Sequence, residues 1–225
     1  MSSLVNAVML ISTIKQAEAI CGTLSNPSKM PGFGYGLPAS LCNVGARLAK
    51  IAGSVCSKCY ALKGNYLYTN VQKSLTFRAE SIMHPLWVDA MVFLILKKTE
   101  KIGCNEFRWH DSGDLQSLLH LEQIVEVCYL TPNIIHWLPT REVALIRQYL
   151  RTYGPFPANL CVRVSSPMVD DEPISGFPNT STVVSKSAAG NYKGFICPAP
   201  KQGNKCGDCR ACWNKKVPNV AYMQH

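Results

Sequence analysis

Three cysteines at intervals of three lie near the end of the chain, in the run Cys206-Gly207-Asp208-Cys209-Arg210-Ala211-Cys212-Trp213. A fourth, Cys197, stands nine positions before the first of them, with Pro198 directly after it. A C-x2-C-x2-C run joined by a cysteine–proline pair is a pattern that holds iron–sulfur clusters. The reason is geometric. A cubane asks for one thiolate at each of four corners; a tight loop at i, i+3 and i+6 wraps three of them, and the fourth comes from elsewhere. Proline beside that fourth cysteine fixes φ and removes a competing N–H donor. Zinc is the alternative, but structural zinc sites usually pair two C-x2-C knuckles across a longer loop. Here one side is a triplet and the other a single cysteine. The expectation is a 4Fe–4S cluster on Cys197, Cys206, Cys209 and Cys212.

A second set is formed by Cys42, Cys56 and Cys59, the last two a C-x2-C knuckle in Gly53-Ser54-Val55-Cys56-Ser57-Lys58-Cys59-Tyr60-Ala61. The knuckle reads as the opening of a helix, where the dipole favours a thiolate. If all three cysteines bind one cluster, one iron lacks a protein ligand and stands open to a substrate or cofactor. If only Cys56 and Cys59 bind, folding must bring other cysteines to them. The spacing leaves both arrangements open. Cys21, Cys104, Cys128 and Cys161 read as core thiols.

The elements that must carry these residues follow from the hydrophobic rhythm. Residues 1–20 are weakly amphipathic and read as helix. Residues 26–40, with three prolines and three glycines, read as loop. Helical periodicity runs from about Val71 and, past Pro85, through Trp87, Met91, Leu94 and Ile95. Then come a strand at Glu106–His110, a helix at Leu115–Cys128, a strand at Ile134–Leu138, a helix at Glu142–Leu150 and a strand at Asn159–Val164. Asp170–Ser187 reads as loop with one short strand at Thr182–Val184. Strand, helix, strand, helix, strand at this spacing is a parallel βαβαβ arrangement, and such sheets place their chemistry just past the carboxyl ends of the strands. Those ends are polar here: His110-Asp111-Ser112-Gly113-Asp114, Pro139-Thr140-Arg141 and Ser165-Ser166.

His110 and Asp111 are candidates for acid–base work, and Arg141 for gripping a carboxylate or phosphate. Ser112, Gly113, Asp114 and Ser165 are candidates for binding a nucleoside-type cofactor. Asp114 also reads as the cap of the helix from Leu115. Arg163, inside an apolar strand, needs a partner, either a ligand or Asp111. His120 and His136 read as surface or packing residues, and Trp109 and Trp137 as fillers of the sheet core.

With 225 residues, 47% hydrophobic and 16% charged, the chain is long enough to bury a core and is not disordered. Eleven cysteines, an odd number grouped in short motifs, suit metal ligation in a reducing compartment better than a disulfide framework. The start of the chain has no basic residue before its apolar stretch, and Lys15 and Glu18 sit where a cleavage site would be small and neutral. The apolar run at Ala90–Leu96 is too short to cross a bilayer. A cytoplasmic location without a membrane partner is therefore expected. The formal charge of +9 counts every cysteine as neutral. Four thiolates around a cluster core of about +2 would lower it by about two, so nucleic acid is compatible with the charge without being required by it.

Several motifs in one order carry a family resemblance. They are Lys29-Met30-Pro31-Gly32, Tyr35-Gly36-Leu37-Pro38-Ala39, Cys56 with Cys59-Tyr60-Ala61-Leu62-Lys63-Gly64, Phe107-Arg108-Trp109-His110-Asp111-Ser112-Gly113-Asp114-Leu115, Trp137-Leu138-Pro139-Thr140-Arg141-Glu142 and the closing cysteine run. From about residue 29 onward the chain resembles the gene product 88 family of tailed bacteriophages, which implies a phage-encoded protein in the host cytoplasm. The Cys-x-x-Cys-Tyr-Ala segment ahead of a parallel α/β region is also similar to phage proteins related to radical S-adenosylmethionine enzymes. That likeness implies a partial TIM barrel, a cluster with one open iron and S-adenosylmethionine as cofactor. Their C-x3-C-x2-C motif is absent, since Cys42 precedes Cys56 by fourteen positions.

The resulting expectation is a single α/β domain of parallel βα units forming a partial TIM-like barrel. Residues 1–68 would supply an N-terminal helix and cysteine loop, 69–190 the βα core, and 191–225 a cluster-binding tail. Its work would be iron–sulfur redox or radical-type chemistry on a small-molecule substrate or with an electron donor, with one 4Fe–4S cluster or two. The competing class is a non-catalytic protein in which zinc or a cluster staples the termini, and which contacts nucleic acid or protein.

Overall fold

A computed structural model describes residues 11–192 and 194–224. From Phe33 to Met223 the chain lays down seven strands that pair into one sheet in the order β1-β2-β3-β4-β5-β7-β6, every neighbouring pair parallel. The strands are β1 (Phe33–Tyr35), β2 (Glu106–Trp109), β3 (Ile135–Thr140), β4 (Leu160–Val169), β5 (Thr180–Val184), β6 (Phe195–Ile196) and β7 (Asn219–Met223). The first five stand side by side in chain order, as in a sector of a βα barrel. The edges, β1 and β6, do not meet, so the sheet is open, a mixed α/β arrangement compatible with a partial barrel.

The helices are α1 (Ile14–Cys21), α2 (Asn43–Leu48), α3 (Thr69–Ser81), α4 (Trp87–Ile102), α5 (Leu118–Leu130), α6 (Val143–Tyr153) and the short α7 (Lys186–Ala189). α4 shows why the sequence takes this form. Trp87, Ala90, Met91, Leu94 and Ile95 recur at helical spacing and are buried, with Asp89 in the first turn and Lys101 in the last. Gly103, left-handed at φ 62°, stops the helix and donates its N–H to the Glu100 carbonyl. Burying each large side chain of that stripe is worth about 1.5–3 kcal/mol.

The two faces of the sheet are covered differently. Phe107 and Trp109 of β2, Leu138 of β3 and Val164 of β4 pack with α1, α4, α5 and α6 in the main core. The intervening residues turn the other way, where Trp137 packs with Ala211, Cys212, Trp213 and Val220 of the tail. Helices therefore cover one face, and the cysteine-rich tail covers the other.

Several sequence expectations are corrected by these boundaries. The sheet reaches beyond 69–190 on both sides, since β1 lies in the segment read as loop and β6 and β7 lie in the tail. The helix expected from Leu115 begins at Leu118, because Ser117 is its cap and accepts the His120 N–H at 3.1 Å. Asp114 is thus not a helix cap. The Cys56 knuckle opens not an α-helix but a chain of single 3-10 turns, Val55–Lys58, Tyr60–Leu62 and Gly64–Leu67. Half of the helix read over residues 1–20 lies outside the described residues, and in the other half α1 runs from Ile14 to Cys21. No helix among the described residues is long and apolar enough to cross a membrane.

Candidate metal centre

Cys197 follows β6 directly and is fixed by its N–H, which donates to Ala221 of β7 at 2.8 Å. The C-x2-C-x2-C run comes back to it across the sheet. The Cys206 N–H donates to the Lys29 carbonyl at 2.8 Å, and the Cys209 N–H to the Cys206 carbonyl at 3.0 Å, the tight turn that the spacing requires. Arg163 of β4, fully buried, holds the end of this loop. Its Nε donates to the Cys212 carbonyl at 2.9 Å, Nη2 to Ala211 at 2.7 Å and Asn214 at 2.9 Å, and Nη1 to Thr180 at 3.2 Å. Arg210 is tied to Glu106 at 2.6 Å, and the Trp213 indole donates to the Phe107 carbonyl at 2.9 Å.

Cys197 and Cys209 pack against the small core that contains Cys212. Burial raises the Cys206 thiol, and Cys197 and Cys209 beside it raise it further. Burial pushes Cys212 up to about 12, with Cys197 adding and Arg163 and Arg108 opposing. Cys197 is raised by burial and by Cys209. Cys197 therefore lies within electrostatic reach of all three members of the run. Buried thiols held so high stay protonated at neutral pH unless a cation compensates their charge, which is what a thiolate-bound metal does.

The second set sits at the carboxyl ends of the strands, on the segment that follows β1. A Cβ placed on Gly45 would stand 3.5 Å from the Cys42 Sγ and 3.6 Å from the Cys56 Sγ, so both sulfurs lean over that one glycine. The segment is tied down at three strand ends. The Val44 N–H donates to Glu142 Oε1 after β3 at 2.8 Å, Ser54 bridges Met168 of β4, and the Tyr60 hydroxyl donates to the Asp111 carbonyl after β2. Burial pushes the Cys42 thiol up to about 12, with Asp114, Cys59, Cys56 and Glu142 adding to it. Burial also raises Cys56, against which the Arg141 charge acts. The Arg141 Nε is buried without a partner.

Among the described residues no group of three or more histidine, cysteine, aspartate or glutamate side chains is arranged to hold a metal ion, and all eleven cysteines are free thiols.

Residues 9–215 match the family model described as gene product 88. The chain belongs to the gene product 88 family. Neither a curated protein nor a solved structure matches it. The family match spans both cysteine sets and all the strand ends between them.

In this gene product 88 family member, the residues singled out from the sequence fall into distinct places. Asp111 is partly exposed at the rim of a cavity. His110, left-handed at φ 54°, turns into the helix layer, its ring centroid 5.4 Å from that of His120. Neither His110 ring nitrogen has a partner, and burial holds its pKa well below the usual range. Ser112 donates to the Leu37 carbonyl at 2.8 Å and accepts the Leu37 N–H through its own carbonyl. Gly113, at φ 74°, lets Leu37 pass: a Cβ there would stand 2.7 Å from the Leu37 Cβ. Asp114 braces β2 against β3, accepting from Thr140 Oγ1 at 2.6 Å and the Arg141 N–H at 2.8 Å; burial raises its carboxyl to about 6. Ser165 pairs with Ser181 at 2.8 Å across β4 and β5. Arg163 spends its donors on loop carbonyls and not on Asp111. Cys21, Cys128 and Cys161 are buried, whereas Cys104 is half-exposed with its thiol 3.0 Å from Glu106. His120 and His136 are buried packing residues.

Arg108 escaped the sequence reading. Its guanidinium carbon lies 4.6 Å from the Trp137 ring centre on the tail-covered face, and its Nε is buried without a partner. Tyr60 and Asp111 act on it from the strand ends, Tyr222 and Cys212 from the tail, and together they raise its pKa against the opposing effect of burial. Its charge acts on the Cys206 and Cys212 thiols of the tail. The signal was the alternation Glu106-Phe107-Arg108-Trp109, which puts both charged residues on one face.

Proposed function

We propose that this protein is an iron–sulfur protein, with a 4Fe–4S cluster on Cys197, Cys206, Cys209 and Cys212 and a second site on Cys42, Cys56 and Cys59. The observation that carries the reading is the convergence of Cys197 with a triplet whose backbone is clamped by a buried arginine. Arg163 takes up the carbonyls of Ala211, Cys212 and Asn214, which fixes the backbone of the loop, while the Cys212 thiol meets the Tyr222 hydroxyl at 3.1 Å. A cysteine triplet with one separate cysteine suits a cluster better than zinc, whose structural sites usually pair two C-x2-C knuckles. Zn–S bonds of about 2.3 Å gather four sulfurs around a single ion, whereas a cubane gives each thiolate its own iron. A bound cluster would supply one-electron transfer.

The residues around the second set give that chemistry a place. The set stands over the strand ends, where Arg141 can hold an anionic group beside Cys56 and Asp111 lines the adjoining cavity. Three thiolates leave one corner of a cubane without a protein ligand, and S-adenosylmethionine is the cofactor that the sequence likeness brings forward for that corner. Arg108 places a positive charge that the tail thiols Cys206 and Cys212 feel.

Anaerobic analysis of iron, sulfide and zinc tests the reading, with the visible spectrum taken on the same sample. About four irons and four sulfides per tail set, lost when Cys206, Cys209 and Cys212 are changed to serine, is the expected result. A colourless preparation carrying zinc sinks it. For the cofactor, S-adenosylmethionine titrated into reduced protein should perturb the cluster spectrum, and an intact cluster that does not respond removes that part.

A second reading is favoured by one observation. Between Glu18 and Glu80 the chain has no acidic residue, while Lys29, Arg47, Lys50, Lys58, Lys63, Lys73 and Arg78 fall within it. Tyr60 and Tyr68 in the same segment are 58% and 60% exposed. Lysines interleaved with exposed aromatics suit single-stranded nucleic acid. Fluorescence anisotropy of a labelled oligonucleotide across a salt series tests this: no binding at low salt eliminates it.

A further inference from the structure

Beside the Cys59–Tyr60 turn lies a cavity of about 450 Å³ whose polar wall is made by Ser25, Asn26, Asn65, Asn70, Arg78 and Asp111. Its two charged members are of opposite sign and do not close on one another. The ion pairs among the described residues are Lys97–Glu100, Lys98–Glu18 and Arg210–Glu106. Arg78 and Asp111 instead meet through one hydroxyl, with Arg78 Nη1 donating to Ser25 Oγ at 3.0 Å and Ser25 Oγ donating to Asp111 Oδ1 at 3.4 Å.

That separation is built into the fold. Ser25 cannot move aside, because its N–H and carbonyl both pair with Gly34 of β1, at 2.7 and 2.9 Å. Arg78 is 5% exposed and held from behind by the Gly36 carbonyl and the Tyr35 ring, while its Nη2 makes a single long bond, to Thr23 Oγ1 at 3.4 Å. Asp111 packs against Gly36 so closely that a Cβ there would stand 2.5 Å from Oδ1. A buried cation whose Nη2 makes one long bond and a carboxylate on the rim, kept apart and lining the same space, form an incomplete pair.

We infer that this cavity binds a free α-amino acid. The ligand's carboxylate would take the donors of Arg78, and its ammonium would sit on Asp111. The asparagine amides would complete its hydrogen bonds, and the side chain would run along Tyr66 and Leu75, which also line the space. A zwitterion is the ligand class that satisfies both charges without adding net charge to the pocket. A simple anion would leave Asp111 facing it, and a simple cation would leave Arg78 facing it. The inference rests on the cavity alone and requires no metal.

Isothermal titration calorimetry of the purified full-length protein with each of the common L-amino acids tests it. At least one should bind. Its N-acetyl derivative, which lacks the ammonium, and its amide, which lacks the carboxylate, should each bind at least tenfold more weakly. Asp111→Asn should weaken the amino acid by a similar factor, and thermal melting checks that this variant is folded. Absence of binding by every amino acid up to millimolar concentration overturns the inference, as does equal binding of either blocked derivative. Because the derivatives are compared on the unaltered protein, the outcome does not depend on any variant folding. Iron measured on the same samples separates the readings: iron-loaded protein that ignores amino acids loses this inference alone.

Discussion

Arg163 and the three buried histidines show how single side chains set the terms of this molecule. Replacing Arg163 by methionine keeps bulk in the sheet but leaves the carbonyls of Thr180, Ala211, Cys212 and Asn214 without that donor. Charged hydrogen bonds of this kind are worth about 1.5–3 kcal/mol each, and buried carbonyls left unpaired add to the loss. Arg163→Met should cost more than about 3 kcal/mol in urea denaturation and release the tail, whereas a change below 1 kcal/mol would mean that the clamp is idle. His120 and His136 are each held at about 3 by burial, and His110 well below its ordinary value. The folded state therefore binds fewer protons than the unfolded chain, whose histidines titrate near 6.5. The stability from keeping these rings neutral is fully present above that value and is lost as pH falls from about 6.5 toward 3. Each ring costs up to about 1.4 kcal/mol per pH unit in that window. Urea midpoints at pH 7.5 and pH 5.5 should differ strongly, and His120→Gln should flatten the difference; identical midpoints would contradict the assignment.

At the scale of elements, close backbone approach decides more than propensity. Gly113 and Gly103 are both left-handed, but a Cβ on Gly113 meets Leu37 while one on Gly103 meets nothing within 4 Å. Gly103→Ala should cost only the backbone term, about 1–2 kcal/mol. Gly113→Ala should cost that plus the displacement of Leu37, and equal losses in paired denaturation curves would show that the strand-end loops are loosely packed. The parts legible in the sequence were those with long periodicity: α4 and the run from β2 to β4. β1 was not legible, because three residues between glycines and prolines carry no rhythm; its partners in β2 make it a strand. β6 has two residues and depends on β7 in the same way. The turns from Val55 to Leu67 read as helix from the knuckle, but Cys59 is extended at ψ 121° and Gly64 is left-handed at φ 56°, so no α-helix propagates. Arg108 was passed over because parallel strands are expected to be apolar on both faces; here its guanidinium lies over the Trp137 ring, which lets a charge sit on the tail-covered face.

Across the whole molecule, two apolar cores lie on opposite faces of one sheet, and they depend on different things. The larger joins α1, α4, α5 and α6 to the sheet through Trp87, Trp109 and their neighbours. The smaller is Trp137 with Ala211, Cys212, Trp213 and Val220, built on a loop with no regular helix and held by Arg163 and Arg210. If a cluster on those thiols staples the tail, removing it withdraws support from the smaller core while the larger keeps its own burial and hydrogen bonds. Hydrogen exchange on protein before and after anaerobic chelation checks this division. Protection should fall over residues 197–216 and in the outermost strands β6 and β7, and should persist in α4 and α5. Loss spread evenly over the helices would mean that the two faces fold as one unit and that the tail is integral to the main core. Unchanged exchange in the tail, with iron gone, would mean that Arg163 and the packing of Trp213 hold it without help from the thiols.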